Sequence, residues 1–151
     1  MNELRETLQR FEDTLIHWEK LNPTISTSNI GWHIEHSLLT LNKIIYALEN
    51  SNPSQFKPTF KLSKLIIFTL NKIPKGKVKA PKIVMPMEYD LDSLKNHFQQ
   101  SLENVERLAR LDSNSFFTHP YFGDLRLKDA IKILKIHTKH HLKIIDNIIL
   151  S

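Results

Sequence analysis

Apolar residues recur at intervals of three and four along most of the chain, which is the period of amphipathic α-helices. The pattern predicts four long helices over residues 2–20, 29–50, 91–111 and 127–150, and a short apolar helix within 60–72. Prolines and a glycine make residues 73–87 a long irregular connection, and residues 112–126 read as an aromatic loop. The economical fold is an all-α four-helix bundle, one domain over 1–151, with the short extra helix in the connection between the second and third long helices.

The second long helix is predicted to be buried on more than one side. Ser28 or Asn29 is its expected N-cap, and a core stripe follows at helical spacing. A second apolar stripe consists of Trp32, Leu39 and Tyr46, and the expected solvent edge consists of Glu35, Asn42 and Glu49. His97, on the third long helix, has polar neighbours and is predicted to face solvent.

Two histidine clusters interrupt the apolar faces of the helices. His137 and His141 are four residues apart in the last helix, so their Cβ atoms lie about 6 Å apart on one face. This spacing lets both imidazoles reach one metal ion. His33 and His36 form the other cluster, near the start of the second helix, while His140 lies at the edge of the last helix's apolar stripe. Two clusters on buried faces favour a metal site over isolated hydrogen-bonded histidines.

Composition limits the chemistry of such a site. The chain has no cysteine, which excludes disulfides and thiolate ligands, so a metal would be held by histidine, aspartate or glutamate. The N-terminus is acidic and amphipathic, unlike a signal peptide, and the apolar runs are too short to span a bilayer. We therefore expect a cytoplasmic protein without membrane association.

The net charge of +5 is unevenly distributed, because residues 57–82 contain eight lysines and neither aspartate nor glutamate. A patch for an acidic ligand, nucleic acid or a membrane surface is one interpretation. A solvated connector is the other. Nucleic-acid binders usually add arginine and stacking aromatic groups. The segment contains no arginine, so there is no strong nucleic-acid signature and the solvated connector is favoured.

Four motifs occur in a characteristic order: NIGWHIEHS, KIPKGKVKAPK, HPYFG and HTKHH. Together they resemble the DinB-like (YfiT-like) metal-binding bundles, in particular the bacterial branch with an HPYFG-type loop, over nearly the whole chain. The resemblance implies a divalent metal at one end of the bundle, bound by the pair His137 and His141 and by one histidine from the second helix.

Two residues compete for the third ligand position. The family pattern has apolar residues six and two positions before the ligand, and Ile30 and Ile34 satisfy it for His36. The helical wheel instead favours His33, which points most nearly opposite the expected solvent edge. Ser37 departs from the leucine that often follows the ligand in the family. His36 is the preferred prediction and His33 the alternative.

Three neutral imidazoles would leave coordination positions open, as in catalytic sites. The resemblance implies metal-dependent hydrolysis or transfer of a low-molecular-weight thiol, acting on a small-molecule substrate. Zinc or nickel suits such ligands. Glu35, His119 and His140 are candidates for hydrogen-bonding to the metal ligands. The alternatives are a non-catalytic metal-binding or stress-associated bundle, and a bundle of hydrogen-bonded histidines without metal. The sequence also allows a homodimer through an outer helix face.

Overall fold

The computed structural model describes residues 1–73 and 81–151. Within them the chain forms α1 (Asn2–Thr14), α2 (Ile30–Glu49), α3 (Leu62–Leu70), α4 (Leu91–Leu108) and α5 (Leu127–Leu150). Strands β1 (Phe116–His119) and β2 (Gly123–Arg126) precede α5, and 3₁₀ turns cover Leu15–His17, Pro53–Gln55 and Lys82–Val84. Residues 74–80, about half of the predicted irregular connection and the greater part of the KIPKGKVKAPK motif, lie outside the described residues.

The four long helices pack as a bundle, which confirms the predicted all-α fold with a short extra helix. Helix α2 packs mainly against α4 and α5, and α1 packs against the same two helices. The core between them is aliphatic and aromatic, as the helical periodicity predicts. Its completely enclosed side chains include Leu4, Leu8, Phe11, Ile34, Leu38, Leu41, Leu94, Leu134 and Ile145.

Polar side chains and one glycine fix the start of α2. The predicted cap forms, since the Asn29 side-chain oxygen accepts the Trp32 backbone N–H at 2.8 Å. Gly31 donates its own backbone N–H to the Trp18 carbonyl at 2.7 Å. A Cβ on Gly31 would lie 2.9 Å from the Tyr89 ring, so only glycine permits this close approach. The start of α2, which carries His33 and His36 in its first two turns, is thereby held in place.

The first and third long helices end several residues before their predicted ends. The first is helical only to Thr14 and then tightens into the 3₁₀ turn Leu15–His17, whereas the sequence pattern extended it to residue 20. The short helix lies within its predicted range and ends at Leu70, because Asn71 adopts a left-handed conformation with φ of 48°, a common C-cap. Helix α4, the third of the long helices, ends at Leu108, three residues before the predicted end.

The segment 112–126 is not only a loop, and this part of the prediction was wrong. Strands β1 and β2 form an antiparallel hairpin with Phe117 opposite Leu125. Both of these side chains are buried. They pack onto the end of the core while their neighbours in the strands remain partly exposed. Phe117 and Phe122 of the hairpin thereby close one end of the core.

Two expectations about the faces of α2 were also wrong. Glu35, placed at the solvent edge, is only 3% exposed because α4 packs over it. Tyr46, placed in a buried stripe, is 68% exposed.

Across residues 1–73 and 81–151, we find no helix with the length and apolarity needed to cross a bilayer.

Candidate metal centre

Three histidines from two helices meet inside the bundle. His36 comes from α2, and His137 and His141 come from α5; one ring nitrogen of each lies within 4.8 Å of those of the other two. The Nε2 atoms of His36 and His137 are 3.2 Å apart. Two nitrogens bound at about 2.0 Å to one tetrahedral ion would be about 3.3 Å apart. This pair already has the spacing of two ligands of a common ion.

A backbone carbonyl sets the orientation of His36. Its Nδ1 lies 2.8 Å from the carbonyl oxygen of Val84, and because a carbonyl can only accept, Nδ1 carries the proton. In the neutral ring, Nε2 is then an unprotonated acceptor facing His137. The 3₁₀ turn Lys82–Val84 presents this carbonyl to α2. Histidines that bind metals commonly have such a partner on the other ring nitrogen.

His137 has an unsatisfied ring nitrogen. Its Nδ1 is buried and has no hydrogen-bond partner among the described residues. If Nδ1 carries the proton, two Nε2 lone pairs face each other at 3.2 Å and repel; if Nε2 carries it, the Nδ1 lone pair is isolated. Buried polar atoms without partners are uncommon and call for an explanation. A cation between the rings would replace the lone-pair repulsion, so these residues fit a divalent metal.

His33 lies beside this group and contacts His141. The Nδ1 atoms of His33 and His141 are 3.0 Å apart, and Nε2 of His33 is 2.9 Å from Oγ of Ser26. When His141 donates through Nδ1, His33 donates in turn to Ser26, and Nε2 of His141 remains unprotonated. Of the two candidates for the third position, His36 joins the pair, and His33 serves as a hydrogen-bond partner of His141.

The surroundings keep these imidazoles neutral. Burial lowers the pKa of His33 to about 4 and also lowers the pKa of His36. It holds the pKa values of His137 and His141 well below 6.5, and the neighbouring histidines add to the effect. The Trp32 ring stacks on His36 with 5.0 Å between ring centroids. At neutral pH all four rings therefore have the uncharged form that binds metals.

His140 and His119 lie near the three-histidine group without belonging to it. The ring of His140 is 5.3 Å from that of His141. His119, at the end of β1, stacks on Phe122 at 4.2 Å; burial lowers its pKa to about 4, and it is near enough to His137 to depress that residue's pKa further. Neither histidine belongs to the three-histidine group.

Glu35 faces α4, away from the three-histidine group. Both of its carboxylate oxygens accept from Nδ1 of His97, at 2.7 and 2.9 Å. His97, predicted to face solvent, is in fact half-buried by this contact. A polar stripe continues along the same interface, where Ser101 and Asn104 donate to the side chain of Asn42. The i, i+4, i+7 spacing of His97, Ser101 and Asn104 was the sequence signal for this stripe, and the sequence reasoning missed it.

One of three comparisons with known proteins found a match. A family model of the DinB superfamily matches residues 1–145. No curated protein and no solved structure matches the chain. The matched region includes every described helix up to most of α5, and all three clustered histidines. The chain therefore belongs to the DinB superfamily.

Proposed function

We propose that this protein binds one divalent metal ion through His36, His137 and His141 and uses it as a metal-dependent hydrolase or low-molecular-weight thiol transferase. The main support is the convergence of three neutral imidazoles, with two Nε2 atoms 3.2 Å apart. Within the part of the chain that the structure describes, no carboxylate joins the group. An ion held in this way keeps its full charge and has coordination positions open.

The bound ion supplies Lewis acidity, lowering the pKa of a coordinated water to about 7 or holding a thiol as thiolate. The chain's own residues prepare the ligands. The Val84 carbonyl fixes the tautomer of His36, and His33 orients His141. Zinc and nickel both suit imidazole ligands, and coordination geometry decides between them.

The test of catalysis uses protein purified without nickel resin. Ester and amide substrates, and electrophiles offered with low-molecular-weight thiols, are assayed before chelation, after chelation and after restoring zinc or nickel. We expect turnover that disappears with the metal and is absent in His36→Ala. His17→Ala is the matched control, because His17 is exposed and outside the group. Turnover that survives chelation, or that His36→Ala retains, would contradict the proposal.

The burial of the three-histidine group supports a second candidate, a metal-binding or stress-associated bundle without turnover. His36 and His141 are 4% and 8% exposed, so an ion here would also join α2 to α5. Metal binding that stabilises the fold without activity toward any of these substrate classes would select this candidate.

A further inference from the structure

The outer face of α3 is apolar although it faces solvent. Leu62, Leu65, Ile66 and Leu70 are between 47% and 62% exposed, and Phe60 just before the helix is 82% exposed. At 100° per residue, the four helical residues lie within roughly 140° of arc. They form one continuous surface, which we call the α3 outer face, consisting of Phe60, Leu62, Leu65, Ile66 and Leu70.

The inner side of α3 is anchored, so the direction of the α3 outer face is fixed. Ile67 and Phe68 are buried, and the Phe68 ring packs edge-on against Phe122 of the hairpin. Lys64 forms an ion pair with Asp129 in the first turn of α5. The inner side of the helix is therefore attached to the β1–β2 turn and to α5, and the residues opposite these contacts point outward.

Positive charge borders this apolar surface. Lys61 precedes α3, Lys72 follows it, and both are exposed. Lysine side chains place their ammonium groups at the rim of an apolar surface while their stems lie along it. No acidic residue occurs between positions 57 and 82 of the sequence, so nothing in this segment neutralises the lysines. A complementary partner should offer apolar contact and negative charge together.

Other occupants fit this combination less well. A symmetric second copy would place the same lysine-rich segment against itself, and like charges would repel. Residues 74–80 of the chain offer Val78 as their single large aliphatic side chain and add three lysines. A nucleic acid would present few apolar groups to a surface whose one aromatic side chain is Phe60, and the segment has no arginine.

We propose that the α3 outer face docks onto an anionic lipid bilayer. The aliphatic side chains would enter the boundary between headgroups and acyl chains, with Lys61 and Lys72 at the phosphate level. Because α3 has only nine residues, its association with the bilayer should be weak, reversible and dependent on the anionic lipid. The lysine pattern alone favoured a solvated connector without membrane contact; the exposed aliphatic row of α3 changes that interpretation.

Sedimentation of the full-length protein with vesicles tests this proposal. We expect binding to an equimolar mixture of phosphatidylcholine and phosphatidylglycerol, little binding to phosphatidylcholine alone, and weakening by salt. Leu65→Asp/Ile66→Asp should reduce the partition coefficient at least about tenfold. Lys61→Gln and Lys72→Gln, which each remove one positive charge, should each reduce it about fivefold. Ile16→Asp, at an apolar residue outside α3 that is 81% exposed, is the matched control and should bind normally.

Circular dichroism and thermal melting establish that each variant is folded, and Leu62→Asp/Leu70→Asp repeats the test at independent positions. Equal binding to both vesicle types, absence of binding, or unchanged binding of both double variants would overturn the proposal. A solution dimer that dissociates in Leu65→Asp/Ile66→Asp would also overturn it and identify a second copy as the occupant. Nucleic-acid binding lost in the same variant, without vesicle binding, would likewise overturn it.

Discussion

Two adjacent residues of α2, Glu35 and His36, contact histidines in two different environments. His36 points toward α5, where its ring lies against those of His137 and His141, and burial lowers the pKa of all three. Glu35 points toward α4, where its carboxylate accepts from His97, a residue whose side chain is 38% exposed. The first environment leaves ring nitrogens unprotonated and close together, whereas the second binds its histidine to a carboxylate. The surroundings of a histidine, more than its presence, separate a candidate ligand from a structural partner.

The largest effect is expected for His141→Ala, which disrupts the three-histidine group and leaves the Glu35–His97 contact intact. His141→Ala removes one of three ligands, so affinity for zinc should fall by more than about hundredfold. In the wild type, zinc should raise the melting temperature, because an ion that binds only the folded state stabilises it. The rise should be lost in His141→Ala and retained in His97→Ala. Equal rises in these two variants would show that the two environments do not differ in metal binding.

Acid should destabilise the metal-free protein. The pKa of His33 is about 4 in the folded state, against 6.5 as its ordinary value. Between these values the unfolded chain takes up a proton that the folded chain does not, so stability falls as pH falls from 6.5 toward 4. The loss from His33 is on the order of 3 kcal/mol.

Urea unfolding of chelated protein at a series of pH values measures this loss. His33→Asn should flatten the profile within the same range, while His17→Ala should leave it unchanged. A free energy of unfolding that stays constant or rises between pH 6.5 and 4 would contradict the assignment of neutral buried imidazoles.

A smaller effect concerns the orientation of His141. Removing an outer hydrogen-bond partner of a metal-binding histidine typically lowers metal affinity 10- to 100-fold, and we expect about this loss for His33→Ala. Asn at position 33 can place a side-chain oxygen near the original Nδ1, so His33→Asn should recover part of the affinity. Competition titration against a zinc chelator measures the zinc affinity of the wild type and of both variants. If alanine and asparagine behave alike, the contact between His33 and His141 does not orient the ligand.

The smallest effect belongs to the Glu35–His97 environment. His97→Ala leaves a buried carboxylate without its hydrogen-bond partner and should cost about 1–2 kcal/mol of stability. Combining it with Glu35→Gln should cost less than the sum of the single changes, because the two residues interact. A double-mutant cycle by denaturant unfolding measures the coupling. Additive effects would mean that the contact contributes little to stability.

Local sequence rules predicted much of this structure. The spacing of apolar residues predicted both ends of α5 correctly, and Asn29 caps α2 as its residue type predicts. The four-residue spacing of His137 and His141 was enough to place both rings on one face. These features depend on neighbours within one or two turns, so a sequence shows them directly.

Other features depend on contacts between distant segments. The carbonyl of Val84 holds His36 across 48 positions, and any residue type could supply that carbonyl. Glu35 seemed to face solvent because it shares an edge with Asn42 and Glu49, yet α4 covers it with matching polar groups. The β1–β2 hairpin was missed because its strands have only four residues each, too short for a clear alternation.

The most direct test of the metal centre is elemental analysis of protein purified without nickel resin. Wild type, His36→Ala, His137→Ala and the control His17→Ala should be measured together after identical loading with zinc and desalting. We predict close to one ion per chain in the wild type and in His17→Ala, and almost none in the other two variants. Equal metal content in all four proteins would contradict the three-histidine site.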